Sequence, residues 1–162
     1  MRKALLLVFA LAALHPTAAR AVPHALQPLL DEGLASVDPG GDGARITVST
    51  DRVFPDPNVL EDLQLSDDGR RIAEVLASYL AAHPLVRCRL EGHTDSTGSG
   101  AFNRKRSVSH VLKMKNALIR AGVAADRIET LAHGEDAPVS PNDTPEGKAR
   151  NRRIEIVLIN PS

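Results

Sequence analysis

Residues 86–122 read VRCRLEGHTDSTGSGAFNRKRSVSHVLKMKNALIRAG, and three physical patterns follow one another in them. Val86, Cys88 and Leu90 alternate with Arg87, Arg89 and Glu91, the period-two signature of a half-buried strand. Residues 92–100 are rich in Gly, Ser and Thr, which marks a turn. From about 102 to 121 the period becomes helical. Val111, Met114 and Leu118 form one apolar row there, with Val108, Leu112 and Ile119 beside it. Gly122 is a natural stop, with Arg120 in the last turn.

The flanks extend the alternation. Upstream, Ile46 and Val48 read as a first strand, which the prolines of Phe54-Pro-Asp-Pro57 break. Ser66 is a helix N-cap followed by Asp67 and Asp68, and Ile72, Val75, Leu76, Tyr79 and Leu80 recur at helical spacing until His83-Pro84. Downstream, residues 127–132 read as a third strand and 138–143 as a loop. Thr144-Pro145-Glu146 opens a short helix, and the β-branched run 154–159 is a last strand. The order β-α-β-α-β-(short α)-β implies an α/β (α+β) domain of two layers, a mixed sheet with helices on one face.

At the start, Arg2 and Lys3, the apolar run ALLLVFALAAL and the small residues around Arg20 have the grammar of a secretory signal peptide over 1–21. The expected organisation is therefore a leader at 1–21, a flexible lead at 22–43 and one domain at 44–160. No later stretch is apolar enough to span a bilayer. Without Arg2, Lys3 and Arg20, the balance is 17 basic against 20 acidic residues, about −3. That balance argues against a nucleic-acid binder, as do one Tyr, three Phe and no Trp. Charge is uneven: 31–68 holds ten acids, with only Arg45 and Arg52 as bases, whereas 104–115 holds five bases and no acid. Cys88 is the only cysteine, and its place in the strand pattern makes it a core residue rather than a reactive thiol.

Several stretches together carry a resemblance: Leu90-Glu-Gly-His-Thr-Asp-Ser-Thr-Gly-Ser99, Asn103 eight residues after Asp95, His133-Gly-Glu135, and Asn142-Asp-Thr-Pro-Glu-Gly-Lys-Ala-Arg-Asn-Arg-Arg-Ile-Glu-Ile156. In this order the chain resembles the OmpA-like C-terminal domain, shared with peptidoglycan-associated lipoproteins and flagellar stator proteins. The resemblance implies a protein of the periplasm, associated with the cell wall or outer membrane. Its partner would be peptidoglycan, bound noncovalently at the diaminopimelate of the stem peptide, and outer-membrane or other envelope proteins could be further partners. No cofactor is implied. Asp95 would meet the ligand ammonium and a cation on the following helix its carboxylate. Asn103 and the backbone amides at the helix start would assist, with Thr94 beside them. One arginine of the Arg152-Arg153 pair, with Arg153 as the candidate, would wall the pocket or hold Asp95; a purely structural salt bridge is the alternative. The chemistry is consistent in itself: a zwitterionic ligand needs an anion and a cation side by side, and a guanidinium grips a carboxylate in a fork.

The chain departs from the family at one decisive place. Where the family helix reads Asn-x-x-Leu-Ser-x-x-Arg, this chain has Asn103, Arg106, Ser107 and His110. Three readings stay open: Arg106, one turn earlier on the same face, takes the carboxylate; His110 takes it only when protonated; or the site is dead and the domain is a scaffold or protein-binding module. An enzyme is not expected. His93, Asp95, Ser96 and Ser99 are crowded into seven residues, whereas a catalytic triad draws on distant parts of a chain. No spacing of a metal motif is present in the sequence.

Overall fold

The computed structural model describes residues 22–39, 44–60 and 63–161; the expected leader lies outside them. Five strands form one sheet in the order β1-β2-β5-β3-β4: β1 Ser36–Pro39, β2 Ala44–Ser49, β3 Arg87–His93, β4 Ile128–Gly134 and β5 Arg153–Ile159. All neighbours are antiparallel except β3 and β4, which run parallel because the long helix α4 (Gly100–Arg120) connects them. The remaining helices are α1 (Gln27–Asp31), α2 (Thr50–Val53), α3 (Asp67–Ala82) and α5 (Pro145–Asn151).

Alternation along the strands makes two unlike faces. Ile46, Val48, Cys88, Leu90, Ile154, Ile156 and Leu158 are buried on the face that carries α3 and α4. The residues between them, among them Arg45, Glu91, Arg153 and Glu155, form a charged face. Cys88 is 0% exposed, and burial pushes its thiol up to about 11, which leaves it inert.

The helix signals act where the sequence places them. Ser66 Oγ accepts from Gly69 N–H at 2.9 Å, and Thr144 Oγ1 from Gly147 N–H at 3.1 Å. Gly122 closes α4 at φ 97°, a left-handed conformation that costs glycine no Cβ clash. On α4, Val111, Met114 and Leu118 are in the core, whereas Val108, Leu112 and Ile119 are 40%, 45% and 37% exposed. Only the first row faces the sheet. Gly92 lets that row approach, since a Cβ there would stand 2.7 Å from the Ser107 carbonyl oxygen and 2.8 Å from Val111 Cγ1.

The expected flexible lead is corrected. Residues His24–Leu26 form a 3-10 turn that runs into α1, and β1 pairs with β2 as a fifth strand at the edge. Leu26 and Leu29 are each 0% exposed and Leu34 is 5% exposed, so this apolar stretch belongs to the core. Its three-residue spacing is too short to separate from a loop by periodicity, and only contact with α3 defines it. Among the described residues no helix is long and apolar enough to cross a membrane.

If the lead is structural, Leu29→Ala destabilises the domain by about 2–5 kcal/mol, as for other fully buried leucines. Urea unfolding checks this, and a change within about 0.5 kcal/mol, the size expected of a surface substitution, would contradict it.

Candidate functional site

Asp95 stands just past the end of β3, in the turn that enters α4. Its Oδ1 accepts from the Thr97 amide at 2.9 Å, so it shapes the turn as an aspartate of this kind does. It also faces two guanidiniums. Arg152 Nη1 donates to Oδ2 at 2.8 Å, and Arg106 Nη2 approaches Oδ1 at 3.5 Å. Asp95 and Arg106 are only 4% and 5% exposed. Burial by itself would raise the Asp95 carboxyl, but the Arg152 hydrogen bond, the Thr97 amide and hydroxyl and the Arg106 charge hold it below its ordinary value. Arg152 is gripped on its other side by Asp51, which accepts from Nε at 2.9 Å and from Nη2 at 2.6 Å. The hydrogen bond to Asp51 is the largest cause of the raised Arg152 pKa.

These side chains line a cleft of about 630 Å³, with Asn58, Thr97, Asp143 and Lys148 on its walls. The cleft therefore presents fixed anions and fixed cations a few ångströms apart. The Arg106–Asp95 contact is the longest of the set and is weak as a hydrogen bond. A ligand that brings both a carboxylate and an ammonium can replace each partner of that pair.

The two candidates one turn apart on α4 separate sharply. Arg106 points into the cleft, with Nη1 donating to Asn58 Oδ1 at 2.8 Å. His110 is 2% exposed, lies outside the cleft lining and donates from Nε2 to the Pro57 carbonyl at 2.9 Å. Its ring stacks on Phe54 with centroids 4.6 Å apart. Burial pushes His110 down to about 4, so its imidazole is neutral across the physiological range. His110 thus anchors the 54–60 segment over α4, and that segment in turn holds Arg106 through Asn58.

The other candidates stand outside the cleft lining. Asn103 is 0% exposed and donates to Glu135, bracing α4 against the turn after β4. Thr94 is buried, and its backbone N–H donates to Gly134 O at 2.8 Å. Arg153 lies on the charged face of the sheet, bonded to Glu155 Oε1 at 2.7 Å. Of the adjacent arginines it is Arg152, the C-cap of α5 just before β5, that reaches Asp95, whereas Arg153, the first residue of β5, turns to Glu155 on the charged face. Asp51, Asn58, Asp143 and Lys148 carried no individual signal in the sequence. Asp51 and Arg152 are 101 residues apart and meet only because β2 pairs with β5.

A sequence profile described as the OmpA family matches residues 61–152, and the chain belongs to that family. Outer membrane porin F of Pseudomonas fluorescens is 41% identical over 80 residues, covering 49% of this chain and 24% of that protein. Peptidoglycan-binding protein ArfA of Mycobacterium tuberculosis is 41% identical over 83 residues, covering 51% of this chain and 26% of its own length. The matched part thus spans about a quarter of these curated relatives. Among solved structures, a MotB-like protein from Desulfovibrio vulgaris superposes with a TM-score of 0.73 at 21% identity, covering 85% of this chain and 88% of that one. At that identity the likeness establishes the mixed open-sheet fold.

The burial of His110 has a measurable sign. Its folded pKa lies below its unfolded value of about 6.5, so the neutral ring's contribution to stability is complete above that value and is lost as pH falls toward about 4. An NMR titration of the His110 ring should give a midpoint near 4; a midpoint near 6.5 would contradict the buried, neutral assignment.

Proposed function

We propose that this domain binds the peptide stem of peptidoglycan noncovalently in the bacterial envelope, through the zwitterionic centre of diaminopimelate. Asp95 takes the ammonium. Arg106 takes the carboxylate through its fork, with Arg152 holding Asp95 in place. The observation that carries this reading is the buried Asp95–Arg106 pair facing a cleft of ligand size. Membership of the OmpA family and the name of the ArfA relative support peptidoglycan as the partner. Relatives named for the outer membrane support a place in the periplasm, at the cell wall or outer membrane. Binding, not catalysis, is the proposed role.

A relocated grip explains how the chain can lack an arginine at 110. A guanidinium one helical turn nearer the start of α4 is held by Asn58 at the cleft, while the imidazole at 110 has become part of the core. The Asp95 carboxyl is held below its ordinary value and keeps its charge between pH 5.5 and 8, so binding is level over that range. The second reading is a scaffold or protein-interaction module without a ligand. In its favour, Asp95 already has internal partners on both oxygens.

Sedimentation with purified diaminopimelate-type sacculi at pH 5.5 and pH 8 separates these readings. The wild type should pellet equally at both. Asp95→Ala and Arg106→Ala should weaken binding about 10- to 100-fold, the worth of a charge-assisted hydrogen bond. Binding confined to pH 5.5 and lost in His110→Ala would replace the arginine grip with a histidine switch. Wild type that stays in solution at both values would leave the scaffold reading.

A further inference from the structure

The charged face of the sheet carries a second cluster. Glu91 and His93 come from β3 and His133 from the neighbouring β4, and one ligand atom of each lies within 4.8 Å of the others. The two imidazoles stack at 4.7 Å between centroids, 11° from parallel. His93 is 3% exposed, and neither of its ring nitrogens has a hydrogen-bond partner; Glu155 Oε1, held by Arg153, stands 3.9 Å from its Nε2. His133 Nε2 lies 3.5 Å from Glu91 Oε2 without being aligned for a hydrogen bond. An imidazole buried without partners carries a free-energy penalty that a bound group would relieve.

We propose that Glu91, His93 and His133 form a site for a divalent transition-metal ion of the zinc type. Two imidazoles and one carboxylate are the donor set such an ion prefers, with a fourth position left for water. Calcium and magnesium would demand an oxygen-rich shell instead. Near-parallel rings point their lone pairs side by side, so one ring must turn for both to meet the ion. His133, with its side chain 34% exposed, has room to do so.

The surrounding charges allow the exchange. Arg153 stays on Glu155, and both are buried. Arg89, its side chain 32% exposed, donates to Glu91 Oε1 at 2.7 Å, whereas Arg45 is hydrogen-bonded to Glu155 and stands 3.9 Å from Glu91. Releasing Arg89 to solvent frees Glu91 for the ion, while Arg45 and Arg153 both stay on Glu155. β3 is an inner strand and β4, at the edge of the sheet, is hydrogen-bonded to it along its length, so the two backbones hold the donors side by side. The site does not depend on what occupies the cleft.

The test is a titration of the full chain, purified without a polyhistidine tag, with Co²⁺ and then Zn²⁺. One equivalent of Co²⁺ should give the intense visible bands of a four-coordinate ion, without a thiolate charge-transfer band, and Zn²⁺ should displace it. Zn²⁺ should also raise the melting temperature. His133→Ala and Glu91→Gln should each lower affinity roughly 100-fold, at least the upper end of what a supporting residue is worth, while His83→Ala leaves it unchanged. Circular dichroism establishes that each variant is folded. Absence of the four-coordinate spectrum in the wild type, or its survival in folded His133→Ala, overturns the proposal.

Discussion

The seating of α4 on β3 and β4 is the constraint from which the site follows. Ser107, 0% exposed, is wedged between the two strands. Its hydroxyl accepts from Gly134 N–H at 3.1 Å and donates to Arg104 O at 2.9 Å. Gly92 and Gly134 lie where a Cβ would press on the helix backbone, at 2.7 Å from Ser107 O and 3.2 Å from Arg104 N. This close approach fixes the rotation of α4 about its axis. Once Ser107 and Val111 face the sheet, Arg106 and His110 must face the 54–60 segment and the cleft end. The turn between β3 and α4 then has one place for Asp95.

Electrostatics completes what packing begins. Three segments distant in sequence each deliver a charge to one cleft: Asp51 from α2, just after β2, Asp95 from the turn after β3 and Arg152 from the junction of α5 and β5. A carboxylate buried this deeply stays ionised because the Arg152 and Arg106 guanidiniums and the Thr97 amide and hydroxyl offset its burial. The same arrangement keeps the site pre-set, since Arg106 and Arg152 are each tied on a second side, by Asn58 and Asp51. A ligand then meets groups already oriented, and its binding loses less to ordering of side chains.

Much of this was legible in the sequence, because the fold rests on local signals. The alternation at 86–91, the caps at Ser66 and Thr144 and the stop at Gly122 each act within a few residues. Asp95 was legible because a motif surrounds it. The 24–39 segment was not, since its pairing with β2 and its contact with α3 are tertiary. Arg152 and Arg153 could not be ranked from their order alone, because one caps α5 and the other opens β5. The fates of Arg106 and His110 turned on the 54–60 segment, whose prolines read as a loop and hide that it closes over α4. His93 with His133 was visible only as two separate histidines, and parallel pairing of β3 with β4 stacks them.

The central claim is that a zwitterionic pair in the ligand replaces the Asp95–Arg106 contact. Its most direct test is an NMR titration of the folded chain with a stem peptide containing diaminopimelate, set beside the same peptide with lysine in its place, whose side chain keeps the ammonium but lacks the carboxylate beside it. The account predicts that the diaminopimelate peptide shifts the amides of 94–97 and the side-chain signals of Arg106 and Arg152, with the lysine peptide binding more weakly at the same place. Equal shifts for both peptides, or shifts that avoid Asp95 and Arg106, would contradict it.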